Sequence, residues 1–117
     1  MRYHYNWMVE LRGYIDENEN KRFAGWLESL EATAAAKVTI ALTRMGQGKF
    51  SNVKGVGSGV YESKIDFGPG YRIYFGKDGD LLVILLGGGT KKRQQHDIAD
   101  AQECWANYKR RKKQEIQ

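Results

Sequence analysis

Three short strand-like runs between residues 57 and 90, separated by glycine-containing turns, constrain the fold of this 117-residue chain more than any other feature. In the first two runs apolar and polar residues alternate, a pattern typical of β-strands with one dry and one wet face. The third run, residues 81–86, is apolar throughout and predicts a central strand covered at least partly on both faces. Asp78 followed by Gly79 predicts a two-residue hairpin turn before it. The three runs should therefore pair as an antiparallel meander.

The alternation also predicts which side chains share a face of the meander. If the loop at residues 68–70 pairs the residues on either side of it, Asp66 lies opposite Arg72 on the wet face. Lys64 then lies opposite Tyr74 on the same face. A charged cluster on a rigid sheet is therefore the main candidate for a functional site. The dry face is expected to hold Tyr61, Ser63, Ile65, Phe67, Tyr71, Ile73 and Phe75.

One more strand is expected near the N-terminus, because aromatic and β-branched residues are frequent between residues 3 and 12. Acidic and amide side chains at residues 16–20 should end this strand and offer caps to a helix. Residues 49–57, which include Lys49 and Lys54, are expected to form a loop that enters the sheet region.

Two sets of apolar residues with helical spacing predict an amphipathic helix hairpin after the first strand. Thr33 is a candidate cap for the second helix, and residues 46–48 are expected to end it. The common apolar stripe should cover the dry face of the sheet. It consists of Phe23, Trp26, Leu27 and Leu30 in the first helix and of Val38, Ala41, Leu42 and Met45 in the second.

A final helix is predicted after the meander. The glycines at residues 87–89 are expected to turn the chain sharply away from the central strand. Asp97 and Asp100 suit the first turn of the helix, where the helix dipole stabilises negative charge. The basic end of the chain, about residues 109–117, is expected to fray into a tail. The apolar stripe of this helix is Ile98, Ala101, Trp105 and Tyr108.

The net charge is +5 at neutral pH, and two runs of basic residues, at 91–93 and 109–113, hold much of the positive charge. Such clustering favours an anionic partner, either a nucleic acid or an acidic protein, although a basic tail also serves solubility. Cys104 is the single cysteine, which excludes an internal disulfide, and no Cys/His spacing resembles a zinc site. We therefore expect one cytoplasmic domain over residues 1–117, without membrane attachment, metal or cofactor.

A cationic site is the main candidate for chemistry, since no Ser-His-Asp arrangement, paired-carboxylate motif or metal motif stands out. Arginine and lysine hold phosphates and stabilise the negative charge that develops when an RNA 2′-hydroxyl attacks its own phosphodiester. Proton transfer is assigned to His96, Tyr74 or a lysine. Two simpler interpretations stay open: Arg72 only pairs with Asp66, and His96 only occupies the helix start. The predicted catalytic residues are Lys64, Arg72, Tyr74, Lys92 and His96, and the predicted RNA-binding residues are Lys49, Lys54, Lys91 and Arg93.

The order of predicted elements and several motifs together resemble the RelE/ParE toxin superfamily. The resemblance covers about Phe23 to Tyr108 and depends on the segment GVYESKIDFGPGYRIYF, the apolar strand ending in LLGGGTKKRQQHDIADA, and the CW that follows. It is greatest for the HigB-like branch, the addiction module killer proteins of bacterial type II toxin–antitoxin systems. The resemblance implies an α+β fold in which an N-terminal strand and a helix hairpin pack on an antiparallel β-meander with a C-terminal helix.

The same resemblance implies an activity. RelE-type toxins cut messenger RNA in the ribosomal A site with basic residues and without metal, and the matching positions here are Lys64, Arg72 and Lys92. The family tyrosine falls near Ile98, which leaves His96 as its nearby substitute. We therefore expect a ribosome-dependent endoribonuclease whose partners are a cognate antitoxin protein and ribosome-bound messenger RNA.

Two other functions stay open on the sequence. ParE members of the same fold inhibit gyrase, so the fold alone does not decide the activity. A non-catalytic module that binds nucleic acid or protein is the second alternative. Glu62 stands where RelE has another lysine, so the positive charge of the site differs from the family pattern.

Overall fold

The computed structural model describes residues 8–116, which form an α+β domain with a mixed sheet and helices on both of its faces. The strands are β1 (Glu10–Gly13), β2 (Val53–Gly57), β3 (Val60–Ile65), β4 (Tyr71–Lys77) and β5 (Leu82–Gly89). The helices are α1 (Arg22–Glu28), α2 (Ala32–Gly46) and α3 (Gln94–Ile116), with a 3₁₀ turn (Lys91–Arg93) directly before α3. The predicted α+β class is therefore confirmed.

The five strands lie in the order β1-β5-β4-β3-β2, with β1 parallel to β5 and the other pairs antiparallel. The predicted meander is thus confirmed as β3, β4 and β5. β1 confirms the predicted N-terminal strand in part, and residues 3–7 of that prediction lie outside the described residues. The hairpin at Asp78 is also present, but its loop spans residues 78–81. The N–H of Asp78 donates to the carbonyl of Leu82 and closes the loop. The prediction of a two-residue turn is therefore wrong.

Residues 53–57, predicted as a loop, form the edge strand β2 instead. Val53 pairs with Ser63 of β3, and the register shifts between Gly55 and Gly57. Glycine has low strand propensity and a bulge breaks the alternation, so the segment carries little strand signal of its own. Its conformation comes from pairing with β3.

The pairing of β3 with β4 differs from the predicted register. Arg72 lies opposite Lys64 rather than Asp66, and the expected pairing of Lys64 with Tyr74 is likewise wrong. The turn is longer than predicted, because two backbone hydrogen bonds close it within residues 65–70. The register moves by two residues, so each side chain keeps its predicted face.

Each face of the sheet has its own apolar core. The first core lies under α1 and α2, as predicted, and contains Phe23, Val38, Met45, Ile73, Phe75, Val83 and Leu85. The second lies under α3 and contains Val60, Tyr74, Ile84, Leu86, Ala101, Cys104 and Trp105. The prediction of a wet face is therefore wrong where α3 covers it, and Arg72 and Tyr74 are buried.

The N-terminal caps predicted for α1 and α2 are wrong, whereas α2 ends at Gly46, as predicted. Lys21 precedes α1 and makes no side-chain cap, while the carboxylate of Asp16 accepts backbone hydrogen bonds within its own turn. The cap of α2 is Glu31, whose carboxylate accepts the N–H of Ala34 at 2.8 Å. Thr33 already lies inside the helix and cannot serve this role.

The glycines at residues 87–89 continue β5, so the sharp turn predicted there is wrong. A Cβ atom at Gly88 would collide with the ring of Trp26 in α1. One at Gly89 would collide with the carboxylate of Asp97 in α3. The absent side chains therefore let both helices pack directly on the strand.

α3 runs to Ile116, so the basic segment predicted to fray is helical. Its predicted apolar stripe is confirmed, since Ala101 and Trp105 are buried and Ile98 and Tyr108 pack against the same core. Among the described helices, even this one lacks an apolar stretch long enough to cross a membrane.

Candidate functional site

The candidate site begins with one row of cross-strand neighbours. Lys64 of β3 lies opposite Arg72 of β4, which lies opposite Gly89 of β5. The chain leaves β5 after Gly89 and reaches Lys91 in the 3₁₀ turn two residues later. Sheet register and a short connection thus bring cations from three elements to one end of the sheet.

These cations line an open hollow of about 410 Å³ between the β3–β4 turn and the 3₁₀ turn. Its cationic members are Lys64, Arg72 and Lys91, and residues 67–70 supply much of the remaining wall. Asp66 also lines it and pairs with Lys64 at 3.4 Å, both groups being exposed. Such a surface pair is weak and easily exchanged for another anion. The hollow is therefore suited to an anionic ligand.

Arg72 is the buried member of this group, with only 6% of its side chain exposed. One of its terminal nitrogens, Nη1, donates to the carbonyl of Gly70 at 2.7 Å. Its Nε lies 3.7 Å from a carboxylate oxygen of Glu62 and makes no hydrogen bond within the described part of the chain. The simpler interpretation of Arg72 as a partner of Asp66 is wrong, because Asp66 pairs with Lys64.

Glu62 lies under α3, with 2% of its side chain exposed. Its Oε2 accepts hydrogen bonds from the hydroxyl of Tyr74 at 3.1 Å and from the amide of Gln94 at 2.8 Å. Lys54 of β2 lies 3.8 Å from Oε1 and is largely exposed. Sequence reasoning placed Glu62 on the polar face but missed this role, because Gln94 comes from a distant part of the chain.

Tyr74 is fully buried beside Glu62. Burial, followed by the negative charge of Glu62, raises the pKa of the Tyr74 hydroxyl far above its ordinary value of 10.0. The hydroxyl therefore stays protonated at neutral pH and serves as a hydrogen-bond donor to Glu62. It has no exposed surface through which it could exchange a proton with a substrate.

The remaining predicted residues of the 3₁₀ turn and α3 lie apart from the hollow. Lys92 and Arg93 are exposed, and neither lines it. The ring of His96 lies 3.0 Å from Arg93 Nη2 and 3.3 Å from Asp100 Oδ2, so it belongs to an exposed ionic group on α3. The structure thus brings Lys91, rather than Lys92 or His96, beside Lys64 and Arg72.

His96, Asp97 and Asp100 offer ligand atoms within 4.8 Å of one another, which is the spacing that a metal ion needs. The guanidinium groups of Arg93 and Arg22 lie against the same side chains. These fixed cations disfavour a further positive charge. Burial raises the pKa of the Asp97 carboxyl, which weakens it further as a ligand.

A second hollow, of about 280 Å³, lies between α2 and the β2–β3 edge of the sheet. Lys49, a predicted RNA-binding residue, lines it together with Lys64. Sequence reasoning missed two further cations on its rim, Lys37 and Arg44 of α2. Their spacing of seven residues, two helical turns, was the available signal, since it places both on one face. The apolar part of the wall consists of Ile40, Ala41, Met45, Phe50 and Ile65.

A search of family models finds no match for this chain. A protein of Haemophilus influenzae, described only as uncharacterized, is 41% identical over 80 residues. The alignment covers 68% of this chain and 81% of that protein.

Proposed function

The chain belongs to the same family as this Haemophilus influenzae protein, and for it we propose the role of a RelE-type toxin of the HigB-like branch. In this proposal it is the toxin of a type II pair and cuts ribosome-bound messenger RNA without metal. The main support is the hollow in which Lys64, Lys91 and the buried Arg72 meet. The resemblance to the RelE/ParE superfamily through the YRIYF and GGGTKK segments supports the same role.

The proposed reaction uses these cations to stabilise a phosphorane-like transition state. The 2′-oxygen of the RNA forms a bond to phosphorus while the bond to the 5′-oxygen breaks, leaving a 2′,3′-cyclic phosphate and a 5′-hydroxyl. Arg72 and Lys91 hold the non-bridging oxygens, on which negative charge increases. Lys64, which is exposed and lines the hollow, is the candidate to take the proton from the 2′-hydroxyl and return one to the 5′-oxygen.

An acidic antitoxin segment is the proposed protein partner. Lys37, Arg44, Lys49 and Lys64 surround the second hollow, and Ile40 beside them is 48% exposed. An apolar wall with a cationic rim is complementary to an amphipathic segment that carries acidic side chains. Co-expression with the neighbouring gene should restore growth and yield a stable complex, and recovery of only a free, harmless protein would count against this part of the proposal.

Primer extension on ribosome-bound messenger RNA tests the nuclease activity. Wild type should produce discrete cuts, and Lys91→Ala should weaken them by about a hundredfold, the scale for losing one transition-state donor. Lys113→Ala is the matched control, because it removes another exposed lysine at the far end of α3 and should cut as wild type does. Growth arrest by a wild-type protein that makes no cuts would overturn the proposal.

The alternative is a gyrase-directed toxin or a binding module without catalysis. One observation favours it: His96 lies with Arg93 and Asp100 rather than at the hollow, so among residues 8–116 no imidazole stands beside Lys64, Arg72 and Lys91. Induction of the DNA damage response during expression, without messenger RNA cleavage, would support the gyrase-directed alternative.

A further inference from the structure

We call the buried group of Glu62, Arg72, Tyr74 and Gln94 the Glu62 cluster. Its opposite charges do not hydrogen-bond each other, and the proposed reaction does not explain why. A carboxylate inside a protein is normally stabilised by a cation within hydrogen-bond distance. Within residues 8–116, Glu62 instead receives side-chain hydrogen bonds from two neutral groups, the Tyr74 hydroxyl and the Gln94 amide. The positive charges of Arg72 and Lys54 remain 3.7 and 3.8 Å away.

The hydrogen bonding of Arg72, the buried cation of the cluster, is also incomplete. Its Nε is buried and makes no hydrogen bond with any residue from 8 to 116, although buried polar groups are nearly always paired. Nη1 is held by Gly70, so the guanidinium is fixed on one side by that carbonyl and on another by the charge of Glu62. Arg72 also lines the hollow, where its guanidinium is available to a ligand. Glu62 itself does not line the hollow.

Gln94 extends the effect of Glu62 to a third element. It is the first residue of α3 and directly follows the 3₁₀ turn that carries Lys91. Its hydrogen bond to Glu62 therefore fixes the start of α3, and with it the turn, relative to β3 and β4. The buried carboxylate of Glu62 thus contacts Arg72 directly and, through Gln94, the turn that carries Lys91.

We propose that Glu62 is a positioning residue, which holds Arg72 by charge and Lys91 through Gln94 so that both cations meet one phosphate. Its role in cleavage rests on the proposed nuclease function, whereas its hold on Arg72 does not. Glu62 acts through these groups and exchanges no proton with the substrate.

A double-mutant cycle tests this role. Glu62→Gln keeps the shape of the side chain and removes its charge, and it should reduce cleavage at least about tenfold, since small displacements of a catalytic cation are costly. Arg72→Gln abolishes the cation, and adding Glu62→Gln to it should reduce cleavage by a clearly smaller factor than in wild type, because only the route through Gln94 to Lys91 remains. A merely structural role would lower activity by the same factor in both backgrounds. Equal factors would overturn the proposal.

Asp78→Asn provides the matched control, since Asp78 also accepts a tyrosine hydroxyl and contacts α3 but lies far from the hollow. It should leave cleavage unchanged. Gln94→Ala serves if Glu62→Gln does not fold, because it removes one donor at an incompletely buried helix start. It should weaken cleavage by a factor that disappears in the Lys91→Ala background, and persistence of that factor would contradict the proposal.

A second measurement does not depend on cleavage. The Nε–H signal of Arg72 in a nuclear magnetic resonance spectrum should exchange slowly with water in wild type and much faster in Glu62→Gln. Titration with inorganic phosphate should perturb Lys91 and Arg72 signals in wild type, at concentrations about tenfold lower than in the variant. If wild type does not cleave RNA but both differences are present, the nuclease function fails while the positioning role holds. If wild type cleaves and both differences are absent, the positioning role fails.

Discussion

α3 contacts a buried or half-buried carboxylate at two places, and the two contacts differ in their charge. At its first residue the Gln94 amide reaches Glu62, which also accepts the Tyr74 hydroxyl. Four turns later, Tyr108 donates to Asp78 at 2.6 Å, and Lys112 donates to the same carboxylate at 2.6 Å. We call Asp78, Tyr108 and Lys112 the Asp78 cluster. Its carboxylate has a cation within hydrogen-bond distance, whereas the cations described near Glu62 lie 3.7 and 3.8 Å away.

This difference in charge pairing indicates a structural role for Asp78 and a functional role for Glu62. In the Asp78 cluster every charge has a direct partner, and the hydrogen bond from Lys112 lowers the pKa of the carboxyl below its ordinary value. Such an arrangement stabilises the contact of α3 with the β4–β5 turn. In the Glu62 cluster the buried Arg72 Nε has no hydrogen bond within the described part of the chain, an unfavourable state that a purely structural contact would avoid. A buried polar group without a hydrogen-bond partner is expected beside a functional site.

The largest expected effect comes from removing the cation of each cluster. Arg72→Ala should reduce cleavage by about a hundredfold or more, the scale for losing one transition-state donor. It should also destabilise the fold by about 3 kcal/mol, because Glu62 stays buried without its buried cation. Arg72→Lys should recover little activity, since an ammonium group cannot reproduce the guanidinium contacts. Primer extension and thermal unfolding, run side by side, measure both effects.

Lys112→Ala is the control, with an expected loss of stability of at most about 1 kcal/mol and unchanged cleavage, because its side chain is partly exposed. Equal losses of activity in the two variants would show that the clusters do not differ in function.

A smaller effect is expected from crowding the start of α3. In Gly89→Ala the new Cβ would collide with the Asp97 carboxylate, which should push the helix start away from Glu62. We expect a loss of stability of about 1–3 kcal/mol from this overpacking, together with weaker cleavage. Gly87→Ala is the matched control, since its Cβ would meet nothing within 4 Å. Denaturant unfolding measures the stability of the two variants. Equal unfolding midpoints would show that the Asp97 side chain moves away from the new Cβ at no cost.

The sequence predicts one side of the molecule much better than the other. The stripes of α1 and α2 and the dry face of the meander follow directly from helical and strand periodicity, and Phe23, Val38 and Ile73 lie where these periods place them. On the other face, Glu62, Lys64 and Arg72 have the polar pattern of an exposed strand. That pattern does not reveal that α3 buries Glu62, because the contact of Glu62 with α3 is a hydrogen bond from Gln94, which lies far away in the sequence.

The site was predictable in composition but not in geometry. Lys64 and Arg72 are recognisable as cations on neighbouring strands, whereas their pairing depends on the length of the β3–β4 turn. Hydrogen bonds inside that turn, which involve Phe67 and Gly70, fix the length and leave no clear mark in the sequence. The choice of Lys91 over Lys92 likewise follows from the 3₁₀ turn, which no periodicity predicts.

An alkaline titration compares the two tyrosines. Both have raised pKa values in the folded protein: burial raises the pKa of Tyr108 to about 12, and that of Tyr74 is raised further by burial and by Glu62. A hydroxyl with a raised pKa stabilises the fold fully below its unfolded value of 10.0, and this contribution is lost as pH rises above 10.0 through the folded value. Wild type should therefore lose stability above pH 10.0.

Tyr74→Phe should flatten this alkaline loss more than Tyr108→Phe does, and each variant should cost about 1 kcal/mol at neutral pH through its lost hydrogen bond. Chemical denaturation at several pH values provides the measurement. An alkaline loss that is unchanged in Tyr74→Phe would place the relevant titration elsewhere.

The smallest expected effect is the acid response of the Asp78 cluster. The hydrogen bonds from Lys112 and Tyr108 lower the pKa of Asp78 in the folded protein below its ordinary value of 3.8. Its contribution to stability is therefore present above pH 3.8 and is lost as pH falls through the lower, folded value. Asp78→Asn should reduce stability at neutral pH by about 1 kcal/mol or less, because Lys112 is partly exposed and solvent screens the pair. The difference between variant and wild type should shrink as the solution is acidified below pH 3.8, and added salt should reduce it at neutral pH. A difference that persists in strong acid would mean that the Tyr108 hydrogen bond, rather than the charge of Asp78, holds the far end of α3.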